Sequence, residues 1–503
     1  MAFFDTRARG LCLHGLRCFE MAGVHVKDIN SLRCGHPVLG EGCHIRPHLW
    51  KACVLAIWLL GGPLPAIAAP AGRWVTTWEQ AMTSNYRQVD GGDGKPQRDA
   101  YGQPLDRVPT VRNLTLRQTA LVSAGGDRVR IRLSNYYGTQ PLTVSAARIA
   151  LGAGRPDDPS AIRPGSDRGL TFDGGKTAVT IAPGSEAVSD PVGLHVPPLS
   201  NVLVSMYFSG RAPLADVHPL ELARSTYAVA GEAVRAASLA GRPPAPGWPS
   251  ASDHHVYVLT GVEIAAPART RGIVAFGDSI TDGHRATAPG KSWPAVLARL
   301  ANRAGHAPVA VGNAGISADE LTVDQVGAPG AGAAGLQRFL RDVVDRPGVT
   351  DVVVLFGTND INRGTDPAGY PTGASAGDIV AGLRMLADVA HRHHLRIYAG
   401  TIMPFAGLPG WYAPRREAVR QEVNRWIRRS GVFDGVVDFA AAVQGAYAPP
   451  PGVSTQVPLP KGLASVCAGD AGLHPNDLGH EVMGTLAYDV VFDARLRPRQ
   501  GCH

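Results

Sequence analysis

The spacing of hydrophobic and polar positions along the chain changes near residue 270. Before that point, short apolar stretches alternate with polar positions and are separated by clusters of Gly, Pro, Ser and Asp. In residues 128–133, arginines alternate strictly with Val, Ile and Leu, which is typical of a half-buried strand. Short strands at this spacing predict an all-β sandwich over residues 70–265. The other predicted strands are 114–119, 142–149, 178–181, 202–208 and 255–262.

From residue 271 onward, apolar strand-like runs alternate with longer amphipathic runs of helical period. This alternation predicts an α/β domain over residues 266–503, with a five-stranded parallel sheet and helices on both faces. The predicted strands are 273–276, 308–311, 351–356, 395–400 and 435–438. The predicted helices are 292–304, 335–345, 376–393, 414–429 and 478–494. No internal repeat is evident, and residues 265–271 are the predicted linker.

Residues 48–69 have the pattern of a secretory signal peptide. An apolar core at 52–60 follows Arg46 and Lys51, and small residues at 66 and 68 predict cleavage near Ala69. The apolar core is too short to span a bilayer comfortably. Residues 1–47 are either an unusual extension or the product of a start site placed too early. The alternative interpretation of residues 48–69 is an uncleaved anchor or a core helix.

Net charge bears on whether the protein binds nucleic acid, and the positions of the cysteines bear on whether it is exported. The net charge is only +7 over 503 residues, and the basic residues are scattered, so no footprint for nucleic acid is predicted. Five of the seven cysteines lie at or before the signal core. Cys467 and Cys502 remain in the mature chain, and an even pair in an exported protein predicts one disulfide. Two unpaired thiols are the alternative.

Ser279 is the first candidate catalytic residue. It lies in the turn after the first predicted strand of the α/β region. Functional groups in open α/β sheets lie beyond the carboxyl ends of the strands. A serine there sits near a helix N-terminus, whose N–H groups favour a developing negative charge. Read alone, the Gly277-Asp278-Ser279 segment is weak evidence, because Ser279 could simply cap a helix.

Three later strand ends supply the partners that a nucleophilic serine needs. Gly315 follows the second strand, Asn359 follows the third, and Asp470 and His474 lie near the C-terminus. These residues offer a backbone donor, an amide donor, an orienting carboxylate and a base. Acyl transfer requires this set of groups around one serine.

In this order, these motifs resemble the four blocks of the SGNH (GDSL-type) hydrolases. Residues 74–78 and 130–135 also resemble the subgroup that carries a leading β-sandwich and is described as xylan-esterase-like. The resemblance implies a flavodoxin-like three-layer α/β/α domain. It also implies a secreted or periplasmic serine esterase that needs no metal and no cofactor.

The resemblance assigns a role to each motif residue. Ser279 is the expected nucleophile, His474 the base and Asp470 the acid that orients it. The N–H groups of Ser279 and Gly315, with the Asn359 side chain, form the expected oxyanion hole. The family places the acid three residues before the histidine, whereas this chain places it four before, and Gly472 could absorb the extra residue as a bulge. Asp438, also at a strand end, is the reserve candidate.

The expected substrate is a small-molecule or polysaccharide ester, with short acyl groups such as acetyl groups on carbohydrate. A lipase, thioesterase or acyltransferase on the same machinery is the alternative, because substrate choice resides in loops. An inactive carbohydrate-binding or cell-wall protein is the alternative from another class. No stable membrane span is expected after signal cleavage, and the oligomeric state stays open.

Overall fold

The computed structural model describes most of the chain from Gly72 onward. Residues 1–71, including the predicted extension and signal peptide, lie outside the described residues, and Ala68–His503 forms one compact unit. In the part of the chain that is described, no helix is both long and apolar enough to cross a bilayer. The described residues are 72–85, 87–88, 106–107, 109–219, 226–246, 248, 252–303, 308–324, 332–363, 373–408, 410–445, 462–463, 467–469, 472–493 and 502.

The first part of the unit is built from antiparallel strands. Two sheets dominate it, one of five strands in the order β1-β20-β7-β12 with β13 also on β7, and one of six in the order β10-β9-β14-β6-β17-β18. The strands are β1 (Arg73–Glu79), β2 (Thr83–Ser84), β3 (Arg87–Gln88), β4 (Asp106–Arg107), β5 (Thr110–Val111), β6 (Leu114–Val122), β7 (Gly126–Asn135), β8 (Leu142–Val144), β9 (Ala146–Leu151), β10 (Arg168–Leu170), β11 (Val179–Ile181), β12 (Ser185–Val188), β13 (Val192–Val196), β14 (Ser200–Phe208), β15 (Ala212–Pro213), β16 (Asp216–Pro219), β17 (Thr226–Ala230), β18 (Ser252–Asp253), β19 (His255–Tyr257) and β20 (Leu259–Ala266).

Alternation along β7 shows why these strands form a two-layered core. Val129, Ile131 and Leu133 are fully buried in one cluster with residues of the six-stranded sheet. Arg130 and Arg132 point to the opposite face, because successive side chains of a strand alternate. The predicted strand 255–262 is divided between β19 and β20 at Val258, which has a positive φ of 65°.

The second part is a parallel α/β sheet in the order β22-β21-β23-β24-β25. Its strands and those of a small hairpin are β21 (Arg271–Gly277), β22 (Val309–Gly315), β23 (Asp351–Leu355), β24 (Arg396–Gly400), β25 (Gly435–Val437), β26 (Gln444–Gly445) and β27 (Gly462–Leu463). Its helices are α1 (Ser279–Asp282), α2 (Trp293–Arg303), α3 (Gly335–Phe339), α4 (Thr358–Asn362), α5 (Ala376–Arg392), α6 (Pro414–Arg429), α7 (Phe439–Val443) and α8 (Asp477–Val491), with a 3₁₀ turn at Pro289–Lys291. Separate buried clusters cover the two faces of the sheet.

The helix boundaries differ from the predictions in two ways. The predicted helix 335–345 is α3 followed by a π-helical turn at Leu340–Val344. The one-turn helices α1, α4 and α7 were not predicted, because a segment of four or five residues carries too little periodicity to detect. Two of them, α1 and α4, contain candidate site residues.

Strand register brings the candidate motifs to one edge of the sheet. Gly277 at the end of β21 pairs with Gly315 on one side and with Leu355 on the other. The turns that follow these three strands therefore leave the sheet side by side. Ser279, Gly315 and Asn359 are brought together by parallel pairing rather than by closeness in sequence.

The antiparallel part covers the exposed edge of β22. Gln80 forms a parallel bridge with Asn313, and β1 runs alongside β22. The Ser123 hydroxyl accepts a hydrogen bond from the Val311 N–H (2.7 Å) and donates one to the Val311 carbonyl (3.1 Å). An uncovered edge strand would expose these groups for pairing with another chain.

Candidate active site

Ser279 is the first residue of the one-turn helix α1. The Asp278 carboxylate caps this helix by accepting the Ile280 N–H at 3.0 Å. Gly283 ends it in the left-handed conformation (φ 109°), with its N–H bonded to the Ser279 carbonyl. Ser279 remains 8% exposed, so its hydroxyl lies at the surface of an otherwise buried turn.

The turn from β21 into α1 is tight enough to require glycine at 277. A β-carbon there would lie 2.5 Å from the Leu355 carbonyl oxygen and 2.3 Å from the Thr281 hydroxyl oxygen. Burial raises the pKa of the adjacent Asp278 to about 7. Its second carboxyl oxygen is buried and has no hydrogen-bond partner among the described residues.

His474 faces the Ser279 hydroxyl directly, with its Nε2 2.9 Å from the Ser279 Oγ. A short hairpin holds the histidine, in which the Gly469 N–H donates to the His474 carbonyl at 2.8 Å. Cys467 at the base of this hairpin is bonded to Cys502, with the two Cα atoms 5.8 Å apart. The serine and the histidine are thus within proton-transfer distance although they are 195 residues apart.

Two further histidines lie next to His474: His284 contacts its ring, and His480 contacts His284. The His284 ring lies against the His474 ring, with centroids 4.1 Å apart. His480 donates from Nε2 to the His284 carbonyl at 3.1 Å and accepts the Trp293 N–H at Nδ1. Burial lowers the pKa of His480 to about 4, so its imidazole is neutral at neutral pH and keeps one tautomer. Sequence inspection missed both histidines, since neither belongs to a recognised spacing.

The expected oxyanion donors differ in their availability. The Ser279 N–H has no hydrogen-bond partner within the described part of the chain. The Asn359 amide donates one hydrogen to the Asp319 carbonyl at 2.8 Å, which leaves its second hydrogen for a ligand. The Gly315 N–H, however, donates to the Asn313 side-chain oxygen at 2.9 Å. Gly315 can serve as an oxyanion donor only if that bond is given up.

Ala318 has a backbone conformation that the sequence did not predict. It is exposed, takes the left-handed conformation (φ 61°), and directly precedes Asp319, the partner of Asn359. Across the described contacts its N–H has no hydrogen-bond acceptor. Non-glycine residues in this conformation are strained and tend to cluster at functional sites. An alanine gives no sign of this backbone conformation in the sequence.

The buried side chain of Arg338 links the ends of β21 and β22 by hydrogen bonds to their backbone carbonyls. Its guanidinium, 1% exposed, donates to the Gly277 carbonyl at 2.9 Å and to the Ala314 carbonyl at 2.7 Å. It also forms a buried ion pair with Asp319 at 2.7 Å. One side chain thus fixes the residues just before the nucleophile turn and before Gly315. Its role was not predicted, because arginines are too common in this chain for one of them to stand out.

The acid expected to orient His474 is the one predicted catalytic group that the described residues do not include. Asp470 lies outside the described residues, so its contact with His474 stays a prediction. Asp438 is engaged elsewhere: it caps α7, accepts two hydrogen bonds from Arg428 at 2.8 and 2.9 Å, and accepts one from Thr401. Asp438 is therefore a structural ion-pair partner in this conformation.

His391 and Lys291, two cation-forming side chains of the α/β part, contact carboxylates. Within the described residues, no group of three or more His, Cys, Asp and Glu side chains is arranged to hold a metal ion. His391, near the end of α5, instead contacts Asp434 at 3.0 Å. Lys291 in the 3₁₀ turn binds Asp477 at the start of α8, at 2.6 Å.

Comparison with known proteins gives a match to one family. Residues 275–482 match the GDSL-like lipase/acylhydrolase family, which is a family of carboxylic ester hydrolases. Solved structures that match part of the chain include the lipase/acylhydrolase from Enterococcus faecalis (22% identity, 46% of this chain and 100% of that chain covered, TM-score 0.32). Two more are the M. smegmatis aryl esterase (18%, 44% and 97%, 0.32) and a carbohydrate acetylesterase family member from Sinorhizobium meliloti (17%, 43% and 95%, 0.33). No curated protein matches the chain.

Proposed function

We propose that this protein is a secreted serine esterase that hydrolyses carboxylic esters with short acyl groups, including acetyl groups on carbohydrate. The observation that carries the proposal is the 2.9 Å approach of the His474 Nε2 to the Ser279 Oγ. The match of residues 275–482 to an acylhydrolase family supports the same reaction class.

The reaction proceeds in two steps. The Ser279 Oγ attacks the ester carbonyl carbon while His474 takes the hydroxyl proton at Nε2, and the carbonyl oxygen becomes negatively charged. His474 then gives this proton to the departing alcohol oxygen as the carbon–oxygen bond breaks. Water, deprotonated by His474, attacks the acyl-enzyme, and release of the carboxylic acid restores the serine hydroxyl.

Donors around Ser279 stabilise the negative oxygen. The Ser279 N–H and the second hydrogen of the Asn359 amide are available for this purpose. The third donor is the Gly315 N–H, which becomes available when the Asn313 side chain turns away. Losing one such donor typically lowers the rate by about 10²- to 10³-fold.

Asp470 is proposed to orient His474 through its second ring nitrogen. Asp470→Asn should then lower kcat, but by less than Ser279→Ala does, because the acid mainly fixes the tautomer and the ring orientation. Asp438→Asn serves as the matched control, since its contacts are with Arg428 and Thr401. Equal activity of the Asp470 variant and the wild type would remove Asp470 from the site.

Hydrolysis of p-nitrophenyl acetate tests the nucleophile. We expect Ser279→Ala to lower kcat by about 10³-fold or more. Ser375→Ala is a suitable control, because this serine caps α5 with no contact to the site. Equal rates for wild type and Ser279→Ala would exclude the proposed mechanism.

One observation favours esters with longer acyl chains as a second candidate. A largely apolar cavity of about 400 Å³ lies between the antiparallel part and α2, and Asp282 and Gly283 at the end of the nucleophile helix line one side of it. Trp78, Leu121 and Ala295 are among its apolar walls. Ser279 and His474 are not among the lining residues, so an acyl chain would reach the cavity only past Asp282 and Gly283. The volume is sufficient for a hydrocarbon chain.

Ester series with acyl chains of increasing length separate the two candidates. If the cavity holds the acyl chain, Ala295→Phe should lower kcat/KM for long-chain esters and leave acetate hydrolysis unchanged. If the substrates are acetylated carbohydrates, the same variant should leave the ratio of rates unchanged, and acetylated xylan should release acetate. Export through residues 48–69 is checked by the mass of the secreted chain, which should begin near Ala69.

A further inference from the structure

His218 links the antiparallel part to the nucleophile helix. It lies on β16, is completely buried, and places its Nε2 3.0 Å from Oδ1 of Asp282, the last residue of α1. Asp282 is one helical turn beyond Ser279. A side chain of the antiparallel part therefore reaches the structural element that carries the nucleophile.

Both ring nitrogens of His218 lie within hydrogen-bond distance of polar groups. The His218 Nδ1 lies 2.7 Å from the Ala81 carbonyl oxygen, which can only accept, so Nδ1 carries a hydrogen. The amide of Gln80 lies 2.7 Å from Nε2 on the other side. The single in-plane site of Nε2 is therefore shared between the Gln80 amide nitrogen and the Asp282 carboxyl group, both of which lie within hydrogen-bond distance.

The nucleophile helix needs such support because it is only one turn long. Isolated turns of this length are unstable, since the first hydrogen bonds do not offset the loss of backbone freedom. Asp282 is held by three elements at once: His218 at Oδ1, the Ser317 hydroxyl at Oδ2 (3.2 Å), and the Asn313 amide at the Asp282 carbonyl (3.1 Å). Only His218 among these three comes from the antiparallel part.

We propose that His218 is a positioning residue for the esterase reaction, which holds α1 through Asp282 and so fixes the Ser279 hydroxyl against His474. The antiparallel part is then a structural component of the active site rather than an independent appendage. This inference rests on the proposed function for its rate measurement, whereas its structural consequence can be measured without any substrate.

Two substitutions of His218 separate its contact with Ala81 from its contact with Asp282. His218→Asn places an amide near the position of Nδ1, so it retains the bond to Ala81 and loses Asp282. His218→Gln places an amide near the position of Nε2, so it can still donate to Asp282. We expect H218N to lower kcat for p-nitrophenyl acetate about 10- to 100-fold with little change in KM, and H218Q to recover most of the loss.

Arg73→Ala is the matched control for weakened docking of the two parts. Arg73 lies on β1 of the antiparallel part and is partly buried. It donates to the Gly348 carbonyl (3.2 Å) and to the Thr270 carbonyl at the far end of the parallel sheet. We expect R73A to keep the wild-type kcat. A loss of kcat in R73A as large as that in H218N would overturn the proposal, because the effect would then come from docking in general.

Hydrogen exchange reports on α1 without substrate. The N–H groups of Asp282 and Gly283 are bonded within this turn, so they should exchange faster in H218N and at the wild-type rate in H218Q and R73A. Unchanged exchange and unchanged kcat in H218N would refute the inference. An inactive wild type would refute the proposed function instead and leave the exchange test decisive.

Asp282→Ala removes the same contact from the other side. We expect it to lose at least as much kcat as H218N does, because it also removes the bond from Ser317. The double variant should lose no more than D282A alone, because the His218–Asp282 contact is already absent in D282A. Additive losses would overturn the proposal. D282A also decides the question if H218N does not fold.

Discussion

The capping carboxyl group of the nucleophile turn should make the stability of this protein depend on pH. Burial raises the pKa of Asp278 from 3.8 to about 7. The folded protein therefore holds this proton more tightly than the unfolded chain. Its stabilising effect is complete below the unfolded pKa and is lost as the pH rises through the folded pKa. Asp278→Asn removes the titration and retains a side-chain oxygen that can cap α1.

The magnitude follows from the two pKa values. One pKa unit corresponds to about 1.4 kcal/mol, and Asp278 lowers stability over the two units between pH 5 and about pH 7. Wild type should therefore lose about 3 kcal/mol of unfolding free energy through this group between pH 5 and pH 9. The asparagine variant should not lose it. D278N should accordingly gain about 3 kcal/mol relative to wild type over that interval.

Urea unfolding at pH 5 and pH 9 measures this difference. Asp378→Asn is a suitable control, since Asp378 also belongs to a helix cap but its pKa is lowered by hydrogen bonds from Ser375. Its titration is complete below pH 5, so its effect on stability should be equal at both pH values. If D278N and wild type differ equally at pH 5 and pH 9, the assigned burial effect on Asp278 is wrong.

Three further changes should have measurable effects. Arg338→Met should cost about 3–5 kcal/mol in urea unfolding, because it leaves the buried Asp319 without its cation. Replacing both Cys467 and Cys502 by Ser should cost about 4 kcal/mol, since the bond closes a loop with a sequence separation of 35. His480 has its pKa lowered from 6.5 to about 4 by burial, so its contribution is complete above pH 6.5, and about 3 kcal/mol should be lost as the pH falls to 4; His480→Gln should flatten that slope in urea unfolding.

Each of these changes has a control and a contrary outcome. Arg384→Met removes an exposed cation over Trp426 and should cost under about 1 kcal/mol; an equal cost for both arginine variants would contradict the buried-pair argument. Reductant should destabilise wild type but not the double serine variant, and the absence of any difference would refute the loop-closure estimate. An unchanged acid slope in the His480 variant would show that this imidazole does not control it.

Local sequence determined much of the secondary structure. The helix predicted at 414–429 is α6, and the helix predicted at 376–393 ends one residue earlier, at Arg392. Long amphipathic periodicity is a local property, since burial of one face requires one pattern wherever the partner comes from. The strands of the parallel sheet were detected for the same reason, as apolar runs between turns.

The sequence also predicted Ser279 as the nucleophile and His474 as the base, because motifs at successive strand ends together resemble one hydrolase family. Their 2.9 Å separation, however, depends on tertiary structure. The same applies to Arg338, to Ala318 in its left-handed conformation, and to the engaged N–H of Gly315. Each of these depends on groups that come from distant positions in the chain.

Sequence alone therefore determined which residues could react, through local pattern and chemical type. Tertiary structure decided which of them meet, and which distant residues hold them in place. His218 shows the difference. It contacts Asp282 in the helix that begins with Ser279, although it lies 64 residues earlier in the sequence and in the antiparallel part of the fold. The physical reason is that side-chain contacts across a packed interface depend on how strands and helices assemble, and no local pattern encodes that assembly.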